Sequence, residues 1–206
     1  MRAQTGTLEA ESRRNQECNV RGIARLILGF WVSLGVTAAV ADDHTYPLRN
    51  HTGLVLAVPD GWKEEIKSAR ADAPQSLFFT PQNGPSFAVA VTPFVSMKDG
   101  SNIPDANAIR GLVEASAQRL VPRAVEKQLA IKPLVGPSCK GYYFLATDRA
   151  PAPGEWKYLT QGIARVGGAD GVDVEFDILT NDGQDGVARA ALDMLRHARH
   201  LTPGQP

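Results

Sequence analysis

Residues 156–180 read WKYLTQGIARVGGADGVDVEFDILT and carry the clearest structural pattern in this chain of 206 residues. Their second half alternates strictly, with valine, phenylalanine and isoleucine on one side and Asp173, Glu175 and Asp177 on the other. A period of two is typical of a β-strand that buries one face. The glycine-rich segment 167–171 separates this strand from an earlier β-compatible run, so the sequence predicts a β-hairpin.

The predicted hairpin has a definite register if residues 167–171 form its loop. On one face it pairs Val172 with Val166, Val174 with Ala164, Phe176 with Gly162 and Ile178 with Thr160. On the other face it pairs Asp173 with Arg165, Glu175 with Ile163, Asp177 with Gln161 and Leu179 with Leu159. The phenylalanine ring then lies over a residue without a side chain, which is a favourable cross-strand pair. A slip of one residue would place the valines beside Arg165 and Gln161.

This register divides the second face of the hairpin lengthwise. Leu159, Leu179 and Ile163 make one end apolar, so we expect a helix to cover that end only. The other end carries four charged residues, namely Arg165, Asp173, Glu175 and Asp177. We expect it to stay open, and it is the candidate binding surface.

The three acidic residues of that surface allow two interpretations. Neighbours on one strand face lie about 6.7 Å apart, so they could share a divalent cation only with help from another strand. A row of like charges is also ordinary on a solvated strand face, and Arg165 can form a salt bridge with Asp173. The sequence favours the second interpretation, and we assign no catalytic residue, metal ligand or cofactor.

Composition predicts one ordinary globular domain. Hydrophobic residues make up 43% of the chain and charged residues 21%, with a formal net charge of +0 and a pI of about 6.9. Residues 1–41 contain five arginines and three glutamates, which leaves 17 basic and 19 acidic side chains in the remainder. A slightly acidic remainder argues against a nucleic-acid partner.

Residues 21–41 read RGIARLILGFWVSLGVTAAVA and have the features of a secretory signal peptide. A basic flank precedes an apolar run that ends in Ala39-Val40-Ala41, which predicts cleavage before Asp42. The alternative is an uncleaved anchor, but the apolar run is short of the ~20 residues that span a bilayer. We therefore expect a leader over residues 1–41 and a single domain over 42–206. This domain would be periplasmic or secreted in a bacterium, without stable membrane insertion.

Only one thiol, Cys139, lies in the predicted exported domain. No disulfide can form within that domain, so its stability must come from the core. A lone cysteine is typically a small buried apolar residue, and the alternative is a reactive or intermolecular thiol.

The rest of the sequence predicts further strands and two helices. Residues 42–50 are expected to be extended and loosely held. The β-compatible segments 54–58 and 62–66 flank a Pro-Asp-Gly turn, which predicts a first hairpin. A helix is expected between residues 102 and 122, and a second helix closes the chain. The apolar stripe of the first consists of Ile109, Leu112, Val113, Ser116 and Leu120, and that of the second of Val187, Ala190, Ala191, Met194, Leu195 and Ala198.

The predicted order is four strands, a helix, four strands and a closing helix. This order, the motif Val58-Pro59-Asp60-Gly61-Trp62, the strand from Phe87 to Phe94 and the strand Gly141-Tyr142-Tyr143-Phe144 together resemble the PsbP-like superfamily. That superfamily contains the extrinsic photosystem II subunit and small exported bacterial proteins. The resemblance implies an α+β fold with a mainly antiparallel sheet flanked by helices, in an α/β/α sandwich. It also implies a non-enzymatic role in binding or assembly.

These features lead to three functional hypotheses. The first is an exported, non-catalytic binding or assembly factor that acts on an envelope protein. The second is a divalent-cation-dependent hydrolase, or a small-ligand-binding protein, that uses Asp173, Glu175 and Asp177. The third is a structural domain with an oligomeric interface at the edge of its sheet.

Overall fold

The computed structural model describes residues 41–48, 52–68, 75–94, 106–168 and 171–202. Nearly all of the predicted leader, residues 1–40, and the helix-start signal at 102–105 lie outside these ranges. The strands are β1 (Ala41–Pro47), β2 (Gly53–Pro59), β3 (Trp62–Ser68), β4 (Gln75–Pro81), β5 (Ala88–Phe94), β6 (Lys132–Val135), β7 (Cys139–Thr147), β8 (Tyr158–Val166), β9 (Val172–Thr180) and β10 (Arg199–Leu201). The helices are α1 (Ala106–Leu120) and α2 (Asp185–Arg196).

The strands form two antiparallel sheets. The larger has seven strands in the order β3-β4-β5-β9-β8-β7-β6, and the smaller has three in the order β1-β2-β10. The fold is therefore α+β and mainly antiparallel, as the sequence predicts. Two strands were not expected, since β1 precedes the predicted order and β10 follows the closing helix.

All eight predicted pairs of the β8–β9 hairpin are present, and Tyr158 pairs with Thr180 as a ninth in the same register. Its loop begins at Gly167 and Gly168, whose φ angles of 93° and 77° are readily adopted only by glycine. The ring of Phe176 lies over Gly162, because a β-carbon added to that glycine would come within 2.5 Å of the ring carbon Cζ. The predicted pairing of these two residues is therefore confirmed.

The predicted first hairpin is wrong. β2 lies at the centre of the small sheet, between β1 and β10, whereas β3 is an edge strand of the large sheet and pairs with β4. Burial explains the separation, because β2 is buried or half-buried along its whole length and β3 is almost entirely exposed. A strand covered on both faces and a charged strand exposed to solvent suit different places in the fold.

The opening segment is also more ordered than expected. Residues 41–47 form β1, which pairs with β2 along seven residues. Tyr46 of β1 is buried, and its hydroxyl donates a 2.5 Å hydrogen bond to Glu64 Oε2 of β3. His44 Nδ1 lies 3.1 Å from the same oxygen. These contacts attach the small sheet to the edge of the large one.

The main core lies between one face of the large sheet and a layer formed by α2 and the small sheet. β9 contributes Val172, Val174, Phe176 and Ile178 to this core, and β2 contributes Leu54, Leu56 and Val58. α2 contributes Ala191, Leu192, Met194 and Leu195. Four of the six predicted α2 positions, Ala191, Met194, Leu195 and Ala198, are fully buried, and Val187 and Ala190 are half-buried.

A second, smaller core lies on the opposite face of the large sheet. There Val113 and Ala117 of α1 pack on Phe144 and Ala146 of β7, whose side chains point away from those of Cys139 and Tyr143 in the main core. Leu112 was expected in the apolar stripe, but it is 51% exposed. Ala117, which was not in the predicted stripe, is buried in this core.

None of the helices in the described part of the chain is both long and apolar enough to cross a membrane.

Replacing Gly162 with alanine should lower the free energy of unfolding by about 1–3 kcal/mol, which is typical of overpacking. The new methyl group would lie 2.5 Å from both Phe176 Cζ and the Tyr142 carbonyl oxygen, so strand and ring must both shift. Urea denaturation measures the change.

Gly111→Ala on α1 is the matched control, because an added β-carbon meets no atom within 4 Å there. Higher helix propensity should make that variant more stable by about 0.5–1 kcal/mol. Equal effects of the two substitutions would contradict the close approach at Gly162.

Candidate functional site

Four side chains from four neighbouring strands stand side by side on the face that α1 covers. The pairing places Val135 of β6 opposite Lys140 of β7, Lys140 opposite Arg165 of β8, and Arg165 opposite Asp173 of β9. Directly opposed residues share a face and have β-carbons about 4.5–5.5 Å apart. Lys140, Arg165 and Asp173 are called the charged row below.

Arg165 and Asp173 form a bidentate ion pair. Arg165 donates from Nε to Asp173 Oδ1 at 2.8 Å and from Nη2 to Oδ2 at 2.7 Å. The predicted salt bridge is therefore confirmed. The expectation that this end of the face is open is wrong at Asp173, which is only 5% exposed. Both carboxylate oxygens are occupied, which fixes the guanidinium in one orientation.

Lys140 lies directly opposite Arg165 without a counter-charge of its own. No ion pair or hydrogen bond joins the Lys140 ammonium to any of the described residues. Like charges in directly opposed positions destabilise a sheet. Asp173 balances one of the two cations, so the charged row carries one excess positive charge.

The charged row leads into a cleft of about 540 Å³ at the end of the large sheet, here called the edge cleft. Most of its lining is apolar. It is lined by Ala106, Ile109, Pro133, Val135, Pro137, Ser138, Lys140, Gly141, Tyr142, Arg165 and Gly168. Sites for small ligands usually measure about 300–1,000 Å³ and combine apolar walls with a few polar groups.

Of the four predicted site residues, only Arg165 lines the edge cleft, and Asp173, Glu175 and Asp177 are not part of its lining. Gln161 Nε2 donates to Asp177 Oδ1 at 2.7 Å, and Ser116 of α1 donates to Gln161 Oε1 at 2.5 Å. Burial raises the pKa of Asp177, and the hydrogen bond from Gln161 opposes that rise. Removal of surrounding water raises the pKa of Glu175, as does the charge of Asp177, whereas Arg119 lowers it.

The acidic row is poorly arranged for a cation. Asp173 is engaged by arginine and Asp177 by glutamine, which leaves Glu175 as the exposed acid of the three. Within the described ranges, no group of three histidine, cysteine, aspartate or glutamate residues is placed to hold a metal ion. The chemistry that the site can offer is cationic and apolar, at Lys140 and Arg165 beside the walls of the edge cleft.

Cys139 is buried in the main core, as the sequence predicts. Burial raises the pKa of its thiol to about 11, and the positive charge of Arg196 lowers it slightly. The thiol is therefore protonated at neutral pH, which makes it a poor nucleophile. The side chain acts as a small apolar residue behind the edge cleft.

The sequence identified Arg165 and Asp173 but missed Lys140 and the edge cleft. The hairpin loop sets the register of β8 against β9, whereas residues 148–157 connect β7 to β8 without a short turn that would fix theirs. The glycine at position 141 is the one signal in the sequence that could have indicated the pairing of Lys140 with Arg165. An added β-carbon there would lie 2.2 Å from the Ile163 carbonyl oxygen, so β7 approaches β8 closely beside Lys140.

Replacing Asp173 with alanine should cost about 3–5 kcal/mol of the free energy of unfolding, because it leaves a largely buried guanidinium without its partner. Asp193→Ala is the matched control. Asp193 pairs with Arg196 on the exposed side of α2, and removal of such a pair costs about 1 kcal/mol or less. Urea denaturation of both variants measures the difference, and losses of equal size would contradict the role of the buried pair.

Replacing Asp177 with asparagine should stabilise the protein increasingly as the pH rises. Burial raises the folded-state pKa of Asp177 above its ordinary value of 3.8, so the folded chain holds this proton to higher pH than the unfolded chain. That contribution to stability is complete below the ordinary pKa and is lost as the pH rises through the folded-state pKa. Asparagine keeps an acceptor for Gln161 and removes the charge.

The measurement is the free energy of unfolding of variant and wild type at about pH 3 and about pH 7, on either side of the ordinary aspartate pKa. Asp182→Asn is a control of opposite sign, because hydrogen bonds from Lys157 and Tyr158 lower the pKa of Asp182. Its stability relative to wild type should fall as the pH rises. A flat or falling difference for Asp177→Asn would contradict the effect of burial.

No known protein-family model matches this chain, and no curated protein sequence matches it.

Proposed function

We propose that the protein is an exported, non-catalytic binding or assembly factor of the bacterial envelope and that the edge cleft is its binding site. The observation that carries this proposal is the cleft itself. It brings apolar walls together with Lys140 and Arg165 in a volume of about 540 Å³. Arg165 is the one residue of the surface singled out by the sequence that lines this cleft.

The groups that line the edge cleft suit binding better than catalysis. A hydrolytic site needs a nucleophile within hydrogen-bond reach of a general base. The described lining contains the hydroxyls of Ser138 and Tyr142 but neither a histidine nor a carboxylate. Arg165 is held in place by Asp173, which is how a recognition residue is kept ready for a ligand.

The proposed location is the periplasm or the exterior of a bacterial cell. The sequence supports it through the basic flank, apolar run and Ala39-Val40-Ala41 ending of residues 21–41. The partner is an envelope component that can place an apolar group in the cleft and a negative charge beside Lys140.

We further propose that the fold is an α/β/α sandwich of the PsbP-like type. α1 packs on one face of the large sheet, while α2 packs on the opposite face together with the small sheet. The extra strands β1 and β10 are additions to the predicted order. Superposition of an experimentally determined structure on members of that superfamily tests this assignment.

The binding role predicts a specific contact at the cleft in living cells. Val135 can be replaced by the photo-crosslinking residue p-benzoylphenylalanine in the full chain, because it lies in the cleft and is 62% exposed. Illumination of the producing bacterium should give a defined adduct, and Lys140→Glu should abolish it, since the substitution reverses the charge that selects the partner.

Val125 is the matched control position, because it is a valine that is 57% exposed and lies outside the cleft. Mass spectrometry of the adducts identifies what is bound. The same adducts at both positions, or no adduct at position 135, would argue against the cleft as the site that binds an envelope protein.

A further inference from the structure

The apolar lining of the edge cleft includes both buried and solvent-exposed side chains. Ile109 is buried at its base, whereas Val135 on the rim is 62% exposed, and Pro133 and Pro137 extend the same wall. Covering apolar side chains is favourable in proportion to the apolar surface that is removed from water. The cleft therefore suits a ligand with an apolar body.

The charged row provides a second, independent feature in the same place. Arg165 gives Nε and Nη2 to Asp173, which leaves Nη1 outside the pair, and the Lys140 ammonium lies on the neighbouring strand. A single carboxylate from a ligand would balance the excess positive charge. A ligand with two negative charges would leave one of them without a counter-charge.

We propose that the edge cleft binds a small amphipathic carboxylate, with its single negative charge against Lys140 and its apolar body along Ile109, Pro133 and Val135. This inference rests on the proposed binding function and names the ligand class of the same site. A hydrogen bond to a charged group is about twice as strong as one between neutral groups, so Lys140 accounts for much of the selectivity.

The edge of the sheet favours a small molecule over an extended peptide. Gly136 N donates to the Cys139 carbonyl oxygen at 2.8 Å, so alternate residues 132, 134 and 136 turn their backbone groups toward β7. Residues 133 and 135 turn theirs outward, and Pro133 has no N–H to give. A peptide added along β6 would find no N–H at position 133, and many of its own backbone groups would meet apolar walls.

The probes for this proposal are decanoate and decanamide, which share an apolar chain and differ in charge. Calorimetric titration of the full-length protein should show that decanoate binds about tenfold more tightly than decanamide, the effect expected of one charge-assisted hydrogen bond. Amide chemical shifts in NMR spectra should change at Val135, Lys140 and Tyr142. Equal affinities, shifts confined to other regions, or no binding of decanoate would overturn the proposal.

Variants at Lys140 locate the charge recognition. Lys140→Gln should weaken decanoate binding about tenfold and leave decanamide binding unchanged, while Lys140→Arg keeps the preference. Lys132→Gln is the matched control, because Lys132 is exposed, lies on β6 and is not part of the cleft lining. A wild-type preference for decanoate in Lys140→Gln would overturn the role of Lys140.

A third arm distinguishes the ligand from a peptide. An N-acetylated apolar tetrapeptide with a free carboxyl terminus should bind more weakly than decanoate, and tighter binding would overturn the choice of a small ligand.

The outcome of the decanoate titration is separate from that of the crosslinking experiment. A protein adduct at position 135 without decanoate binding leaves the binding function standing and removes this inference. Decanoate binding without a protein adduct keeps the cleft as a binding site and removes only the envelope-protein partner.

Discussion

The close approach of Phe176 to Gly162 fixes the register of β8 against β9 at the centre of the large sheet, and the placement of side chains on these strands depends on that register. Any side chain at position 162 would collide with the ring and with the Tyr142 carbonyl oxygen. Gly141 plays the same part between β7 and β8, where a side chain would meet the Ile163 backbone. Three strands are therefore held in one register, since a shift of one residue would bring larger residues to these contacts. The alignment of Lys140, Arg165 and Asp173 follows from two glycines that lie outside the charged row.

Local patterns predicted the parts of the fold in which neighbours in sequence are also neighbours in space. The strict alternation of residues 172–180 and the short glycine loop were enough to predict the register of β8 against β9. The two helices were expected for the same reason, although Leu112 shows that an apolar residue at helical spacing need not face the core. The helix instead buries Ile109, Val113 and Ala117.

Contacts between distant segments were not predictable in this way. The Pro-Asp-Gly turn between β2 and β3 suggested a hairpin, yet the two strands enter different sheets because β2 is covered on both faces. β1 and β10 contain polar residues and gain their structure by pairing with β2. For the candidate site, the predicted hairpin was enough to pair Arg165 with Asp173. Lys140 was not predicted, because its position depends on the register of β7 against β8, which are joined by a ten-residue connection.

The place of β2 between β1 and β10 has a consequence for the order in which the protein folds. A ribosome releases the residues of β1 and β2 early, but Arg199–Leu201, which pair with Gly53–Val55, come only after the closing helix. Until then the most apolar strand of the small sheet has one edge without a partner, and such an edge readily joins other chains. The small sheet is therefore completed only after β10 has been synthesised. A chain that lacks β10 would expose an unpaired edge of β2 that is prone to aggregation.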